Sequence, residues 1–383
     1  MTRSTTEPLA PAAALPFTFG GFTIPAGCQR IFITAELEPS SGDPRIQPTG
    51  FPDLGPVLYA DPAEKHGLIC LIESEASMAN WLEAVCLENK YDGTLKSALA
   101  GLSYLKAQTG RGANAVFKTA STLDGHRFAS DFLAKGKAVF EPEASEITLA
   151  EHVKASLGMA LDGKTMPIAR VPEIFPLVLG LDAMSLIHGF QVSNEQISFV
   201  GLRLPRALTA SIVGLNCQRV TVPGIKFNVG QVESESGQAI FQKLRITAKR
   251  IEARFSIDVG LLYSLRLDTP SAAGAAGQHQ AARLQLLLAL ALWKVASFLN
   301  LLSVELSLRT ECKLRLKRDE KGDVVATEAK CEGGPTAEVG NFPFASIAKE
   351  TFTDIKNDRD GKPGLISKAH LPANRSPLTL QFA

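Results

Sequence analysis

Residues 67–88 read GLICLIESEASMANWLEAVCLE, and two periodicities meet inside them. Gly67 to Glu73 is short and apolar, the mark of a buried strand. From Ser74 the spacing changes. Met78, Leu82 and Val85 recur at helical intervals and make one apolar face. Ser74 stands where an N-cap hydroxyl belongs, with Ser77 just inside the first turn. The strand therefore runs directly into a capped helix.

Upstream, Gln29 to Leu37 (QRIFITAEL) is a second strand of β-branched and apolar residues. Between the two lies PSSGDPRIQPTGFPDLG, residues 39–55, with four prolines and three glycines. That density forbids a helix or a central strand and builds a shaped loop. Residues 1–16 are rich in Pro, Ala and Thr, and 1–28 is expected to be a flexible arm.

Downstream, residues 110–163 are polar and mixed, and read as an insertion carrying short elements. IFPLVLGLDAMSLIH (174–188) is an expected core helix. Residues 201–267 hold ten Lys/Arg against four Asp/Glu, so a basic stretch sits inside a chain whose totals, 40 against 39, are balanced. Only a local patch of this kind can announce a nucleic-acid binder here. Pro223-Gly224 and Ser234 to Gly237 suggest hairpin tips. Pro270 to Gly277 is a flexible loop.

The run from Leu286 to Leu302 is interrupted by Lys294, Ser297 and Asn300. Arg283 and Lys294 fall about 20° apart on a helix at roughly 100° per residue, giving a thin polar stripe. A core helix fits this better than a membrane span, which wants about 20 apolar residues with few charges. SVELSLRTECKLRLKR (303–318) alternates as a strand, and 319–383 reads as a loop-rich extension with little core.

Chemical motifs are mostly missing. In GANAVFKT (112–119), Phe117 fills the place of the second phosphate-loop glycine and would block the approach of backbone to phosphate. DIKNDRDGKPG (354–364) resembles a calcium loop, but Lys356 stands at the first ligand position. The six histidines show no HxxxH or HExxH spacing, and no two of the six cysteines lie within four residues. No metal or cofactor is implied. Scattered cysteines and the absence of a signal-peptide pattern point to free, buried thiols in a reducing cytoplasm.

Three stretches together resemble one family. They are GDPRIQPTGFPDLG with Tyr59, IESEASMANWLEA, and GLRLPRALTASI followed by PGIKFN. Their order and spacing are similar to the RAMP-type backbone subunit (Cas-seven family) of type I-G, formerly I-U, CRISPR Cascade effector complexes. Gly125 to Ser130 (GHRFAS) and residues 285–314 add weaker matches, so the resemblance spans roughly 29–314.

The resemblance implies an α+β fold. It would be a modified RRM-like (ferredoxin-like) palm with an antiparallel sheet over 29–318, a thumb hairpin, and inserted finger or web elements; the hairpin signals place the thumb within 200–240, with the 110–163 insertion as the alternative. It implies no catalysis of its own. Copies would line up along the spacer of a guide RNA (crRNA) and present it for pairing with target DNA in antiviral defence. Expected partners are the crRNA, target DNA through that pairing, neighbouring copies and other Cascade subunits, with no membrane. The alternative is a RAMP endoribonuclease that processes the guide precursor, which needs a general acid–base pair near the scissile phosphate.

A subunit that reads no sequence should grip phosphate and ribose through Arg/Lys, hydroxyls and helix N-termini. The candidate RNA contacts are Arg45, Gln47, Thr49 and Gly50 in the proline-glycine loop, and Ser74, Ser77 and Asn80 on the helix. Arg127 joins them, with Arg203, Arg206 and Lys226 in the basic stretch and Arg309 on a strand edge. Ser74 also has a plainer reading as a cap only, and Arg309 as a strand-edge charge.

Overall fold

The computed structural model describes residues 16–48, 50–51, 55–64, 67–140, 145–157, 172–192, 202–220, 225–226, 240–241, 245–268, 279–309, 312–333, 338–352, 365–369 and 377–382. Within the flexible arm expected over 1–28, residues 17–24 instead form a hairpin, β1 (Phe17–Phe19) and β2 (Phe22–Ile24), while residues 1–15 lie outside the described residues. The reason is aromatic. Phe17, Phe19, Phe22 and Ile24 all point inward, Phe22 meets Phe342 edge-on at 5.2 Å, and Phe19 packs on Phe352 at 5.5 Å.

β3 (Arg30–Pro39) buries every second residue, Ile31 to Leu37. Among its described residues the proline-glycine loop holds two-residue pieces, β4 (Arg45–Ile46), β5 (Gly50–Phe51) and β6 (Gly55–Pro56). β7 (Leu58–Ala60) and β8 (Leu68–Glu73) follow, then α1 (Glu75–Ala84). The Ser74 hydroxyl accepts the Ser77 N–H at 3.3 Å, as the sequence predicts for a cap.

The next segment carries β9 (Leu87–Asn89), β10 (Thr94–Leu95), β11 (Leu105–Thr109), β12 (Val116–Ala120), α2 (Asp131–Ala134), β13 (Lys137–Val139), β14 (Glu146–Thr148) and α3 (Leu149–Ser156). GANAVFKT lies across a short 3-10 turn and β12, so no helix follows it to receive a phosphate. The expected helix over 174–188 is two, α4 (Ile174–Leu181) and α5 (Ser185–His188). Asp182, with extended backbone, ends the first, and its carboxylate accepts from the Ser185 hydroxyl at 2.6 Å.

β15 (Phe190–Val192) pairs with β16 (Leu202–Leu204). The long β17 (Leu208–Val220) pairs along its length with β20 (Arg245–Asp258). Between them β18 (Ile225–Lys226) meets β19 (Ile240–Phe241), so pairing resumes within the expected thumb region. The rest of that region, 221–224 and 227–239, is outside the described residues. After α6 (Val259–Ser264) comes α7 (Gln280–Leu302). Among the described residues α7 alone is long and apolar enough to cross a membrane, but 83% of that window is buried inside the fold, as a core helix requires.

The single strand expected over 303–318 is a hairpin, β21 (Leu306–Arg309) and β22 (Cys312–Leu316). Both arms alternate, so the pattern hides the turn between them. The C-terminal residues also depart from the loop-rich expectation. They supply β23 (Glu328–Glu332), β24 (Glu338–Asn341), α8 (Phe344–Ile347), α9 (Leu365–Ala369) and β25 (Leu378–Phe382). Ala329, Cys331, Phe342, Ile347, Phe352, Ala369 and Leu380 are all core residues. Each element is too short to show periodicity, and long-range pairing alone makes it regular. Cys28 and Cys331 form a disulfide, contrary to the free thiols expected, while Cys70, Cys86, Cys217 and Cys312 are free and buried.

The architecture is mixed α+β, with largely antiparallel sheets. The main sheet runs β21-β22-β3-β20-β17-β8-β7. Within it β22, β3, β20 and β17 are consecutive and antiparallel. α1 lies in the connection from β3 to β17, and α7 in that from β20 to β22. The face bearing Ile33 and Phe255 packs on α7 through Phe298, whose ring also meets Trp81 of α1 at 6.4 Å. A second sheet, β12-β11-β25-β13-β14, draws most of its strands from the expected insertion and its middle strand from the C-terminus. β25 pairs with β11 in parallel.

Candidate nucleic-acid interface

The N-terminal end of α1 gathers the densest set of candidates. Ser74 and Ser77 are half-buried and Asn80 is exposed on the same helix. Arg206 comes alongside, its Nη1 3.5 Å from the Glu75 carbonyl, the outer limit of a hydrogen bond. A helix N-terminus collects orphan N–H donors and partial positive charge, so a guanidinium beside it adds to a field that already favours an anion. Glu75 is an exposed acid in that first turn and opposes part of the field. Arg203 is exposed on β16, opposite Gln191.

One glycine explains why the Arg203–Arg206 segment lies where it does. Gly189 has φ +74°, and a Cβ there would fall 2.6 Å from the Leu204 carbonyl oxygen and 2.8 Å from Pro205. No side chain fits between the two backbones.

Arg127 is not among the exposed candidates. It is 6% exposed, and Nε donates to Glu83 Oε1 at 2.7 Å. Its Nη1 reaches the carbonyls of Gly125 at 3.1 Å and Gly189 at 3.3 Å. The sequence placed it with the RNA contacts, but the fold spends its donors on α1 and on the glycine behind Pro205. Its φ of 55° is held by that setting. Neighbouring His126 is exposed, and Ser130 is buried with its hydroxyl on Asp124 at 2.7 Å.

Next to this ion pair lies a wider buried polar cluster. Lys294 Nζ is 2.8 Å from His188 Nε2, and both residues are almost wholly buried. Burial, with the Lys294 and Arg127 charges, pushes the His188 imidazole well below its ordinary range, so it is neutral. Burial raises Glu83 and Asp182 despite the cations beside them. The cluster's chemistry is that of an acid–base site, but its depth is that of a core.

The proline-glycine loop candidates stand apart. Arg45, on β4, faces Thr247, which also faces Gln218, while Glu73 faces Ile212. Six residues of β17 separate the two places, roughly 20 Å at strand rise. Arg45 forks onto Asp43, with Nε donating to Oδ1 at 2.9 Å, and holds that carboxyl at about 2. Gln47 is half-buried, and Gly50 pairs with Pro56. Thr49 lies outside the described residues. Lys226 is on β18, opposite Ile240, and Arg309 on β21, opposite Cys312.

The basic stretch is less available than its count suggests. On the sheet face away from α7, Glu252 takes ion pairs from Arg254 at 2.7 Å and Arg250 at 2.9 Å. Outside that stretch the neighbouring strands are paired as well, Lys317 with Glu36 at 2.6 Å, Arg315 with Glu38 at 2.8 Å, and Arg30 with Asp258 at 2.7 Å. Sequence reading missed Glu83 and Gly189. Glu83 sits four residues from Ala79 on the inward face of α1, and a buried acid there demands a cation. Gly189 ends the apolar run with a glycine, a mark of positive φ.

The family model for CRISPR-associated protein GSU0053 (Cas_GSU0053) matches residues 31–219. The match supports a CRISPR-associated protein. It covers just under half of the chain and runs from β3 to the end of β17, so the α1 end, the proline-glycine loop and Arg206 all fall inside it. No curated protein matches the chain.

Proposed function

We propose that this chain is a guide-RNA-binding backbone subunit of a type I-G CRISPR Cascade complex, with no catalysis of its own. Repeated copies coat the spacer of the crRNA and present it to target DNA, beside the other subunits of the complex. The observation that carries this reading is the meeting of Arg206 with the first turn of α1, where Ser74 and Ser77, with Asn80 in the next turn, offer side-chain partners for phosphate and ribose. None of these needs to read a base.

Two further points support it. The strand order β22-β3-β20-β17, with α1 and α7 in the two crossings, is what an RRM-like palm of the split βαβ kind requires. The family match links the chain to CRISPR defence. The His188–Lys294 pair has the composition a processing nuclease would use, but a phosphate cannot reach a pair this deeply buried.

The test is co-expression with a guide–repeat cassette and companion subunits, sizing of the purified particle, and sequencing of the bound nucleic acid. A large particle enriched in spacer-protected guide RNA is expected. A small particle free of nucleic acid, even with the full set of partners, would sink the reading.

A further inference from the structure

Away from the α1 end, the tip joining β9 to β10 carries Lys90 and Tyr91 into solvent. Tyr91 is 79% exposed, and Lys90 Nζ lies 5.2 Å from its ring centre. The tip is held firmly. Tyr91 N–H donates to Asn89 Oδ1 at 2.9 Å, Asn89 Nδ2 to Asp92 Oδ2 at 3.0 Å, and Thr94 N–H to Asp92 Oδ1 at 2.8 Å. A Cβ on Gly93, whose φ is +65°, would come within 3.0 Å of Phe117 and Ala120, so the tip is seated on β12. Lys106 stands beside it, donating to Thr94 Oγ1 at 3.2 Å, with Nζ 5.9 Å from the Tyr104 ring and 6.0 Å from Phe117.

We propose that this tip is a binding site for single-stranded nucleic acid, with one unpaired base stacked on Tyr91 and its flanking phosphates on Lys90 and Lys106. An exposed ring interleaved with ammonium groups fits a strand that offers a π-face and an anion at each nucleotide. A duplex hides its base faces and would not use the ring. The rigid tip limits the ordering cost of binding. The site stands independently of the guide-RNA reading.

The experiment uses the purified full chain with fluorescein-labelled octamers of dT and of U, read by anisotropy across a salt series. Tyr91→Ala should weaken binding about tenfold. Tyr91→Phe, which keeps the ring, should stay within about twofold. Lys90→Ala with Lys106→Ala should flatten the slope of log affinity against log salt by about 0.7 for each phosphate no longer neutralised. Unchanged melting temperatures would show that the variants fold. The proposal is overturned if the wild-type chain does not bind the octamers, if Tyr91→Ala binds as well as wild type, or if Tyr91→Phe loses as much as Tyr91→Ala. Loss on Arg206→Ala alone would put the octamer at the α1 end, overturning the tip site and leaving the guide-RNA reading intact. Tyr91-dependent binding would stand even if no guide RNA co-purified.

Discussion

The two ends of α1 carry the same kinds of group and use them in opposite ways. At the N-terminal end Ser74, Ser77, Asn80 and Arg206 keep access to solvent. At the C-terminal end Glu83 and Arg127 are 5% and 6% exposed and bonded to each other. A guanidinium at the surface keeps its hydration and can exchange it for a phosphate. A guanidinium in the core has lost that hydration, and only a full set of acceptors offsets the loss. Arg127 has such a set in Glu83 and the Gly125 and Gly189 carbonyls. Since Gly189 backs the Arg203–Arg206 segment, the buried end of the helix positions the exposed one.

The most forceful way to break this comparison is Arg127→Ala. It leaves Glu83 buried without its cation and should cost about 3–5 kcal/mol in urea unfolding. Arg127→Lys should recover little, because one ammonium cannot reach a carboxylate and two carbonyls as a planar fork does. A loss below about 1 kcal/mol would mean the pair anchors nothing. Arg203→Ala with Arg206→Ala is the counterpart at the other end. Stability should move by no more than about 0.5 kcal/mol. Affinity for guide RNA should fall alike for unrelated guide sequences, and the salt slope should flatten by about 0.7 for each phosphate left without its arginine. An unchanged slope would remove both arginines from the interface.

How much of this was legible follows from the range of each signal. The α1 cap and the strand before it are local, and Ser74 with its following apolar face announced both. The long helix over 280–302 was equally plain, since its stripe is a matter of composition. Arg127 was not. Its partner lies 44 residues away, and nothing in GHRFAS says which arginine will be buried. The C-terminal strands were missed for the same reason, because β25 becomes a strand by lying between β11 and β13. Counting cations over 201–267 is likewise blind to distant partners, since Glu36, on β3, comes within 3.8 Å of Arg250.

Ser74→Ala sharpens the contrast at the exposed end. The hydroxyl caps α1, so its loss should cost about 1 kcal/mol. Ser74→Asn keeps an acceptor for the Ser77 N–H and should hold stability near wild type. If RNA affinity drops in both variants while stability drops only in the first, the hydroxyl has a role beyond the cap. If affinity follows stability, the cap is its whole contribution.

Arg254→Ala should show the smallest effect, and it tests the sheet face against the helix end. Arg254 is about half exposed, and Glu252 keeps Arg250 at 2.9 Å after its removal. An ion pair of this exposure contributes at most about 1 kcal/mol. Guide-RNA affinity and its salt slope should stay at wild-type values, because the guanidinium faces a carboxylate that a phosphate would have to displace. A slope that flattened as far as with Arg206→Ala would move the RNA from the end of α1 onto the open face of the main sheet. The Glu252 and Glu36 carboxylates would then be acting as placeholders for phosphate, and Glu252→Gln should tighten binding.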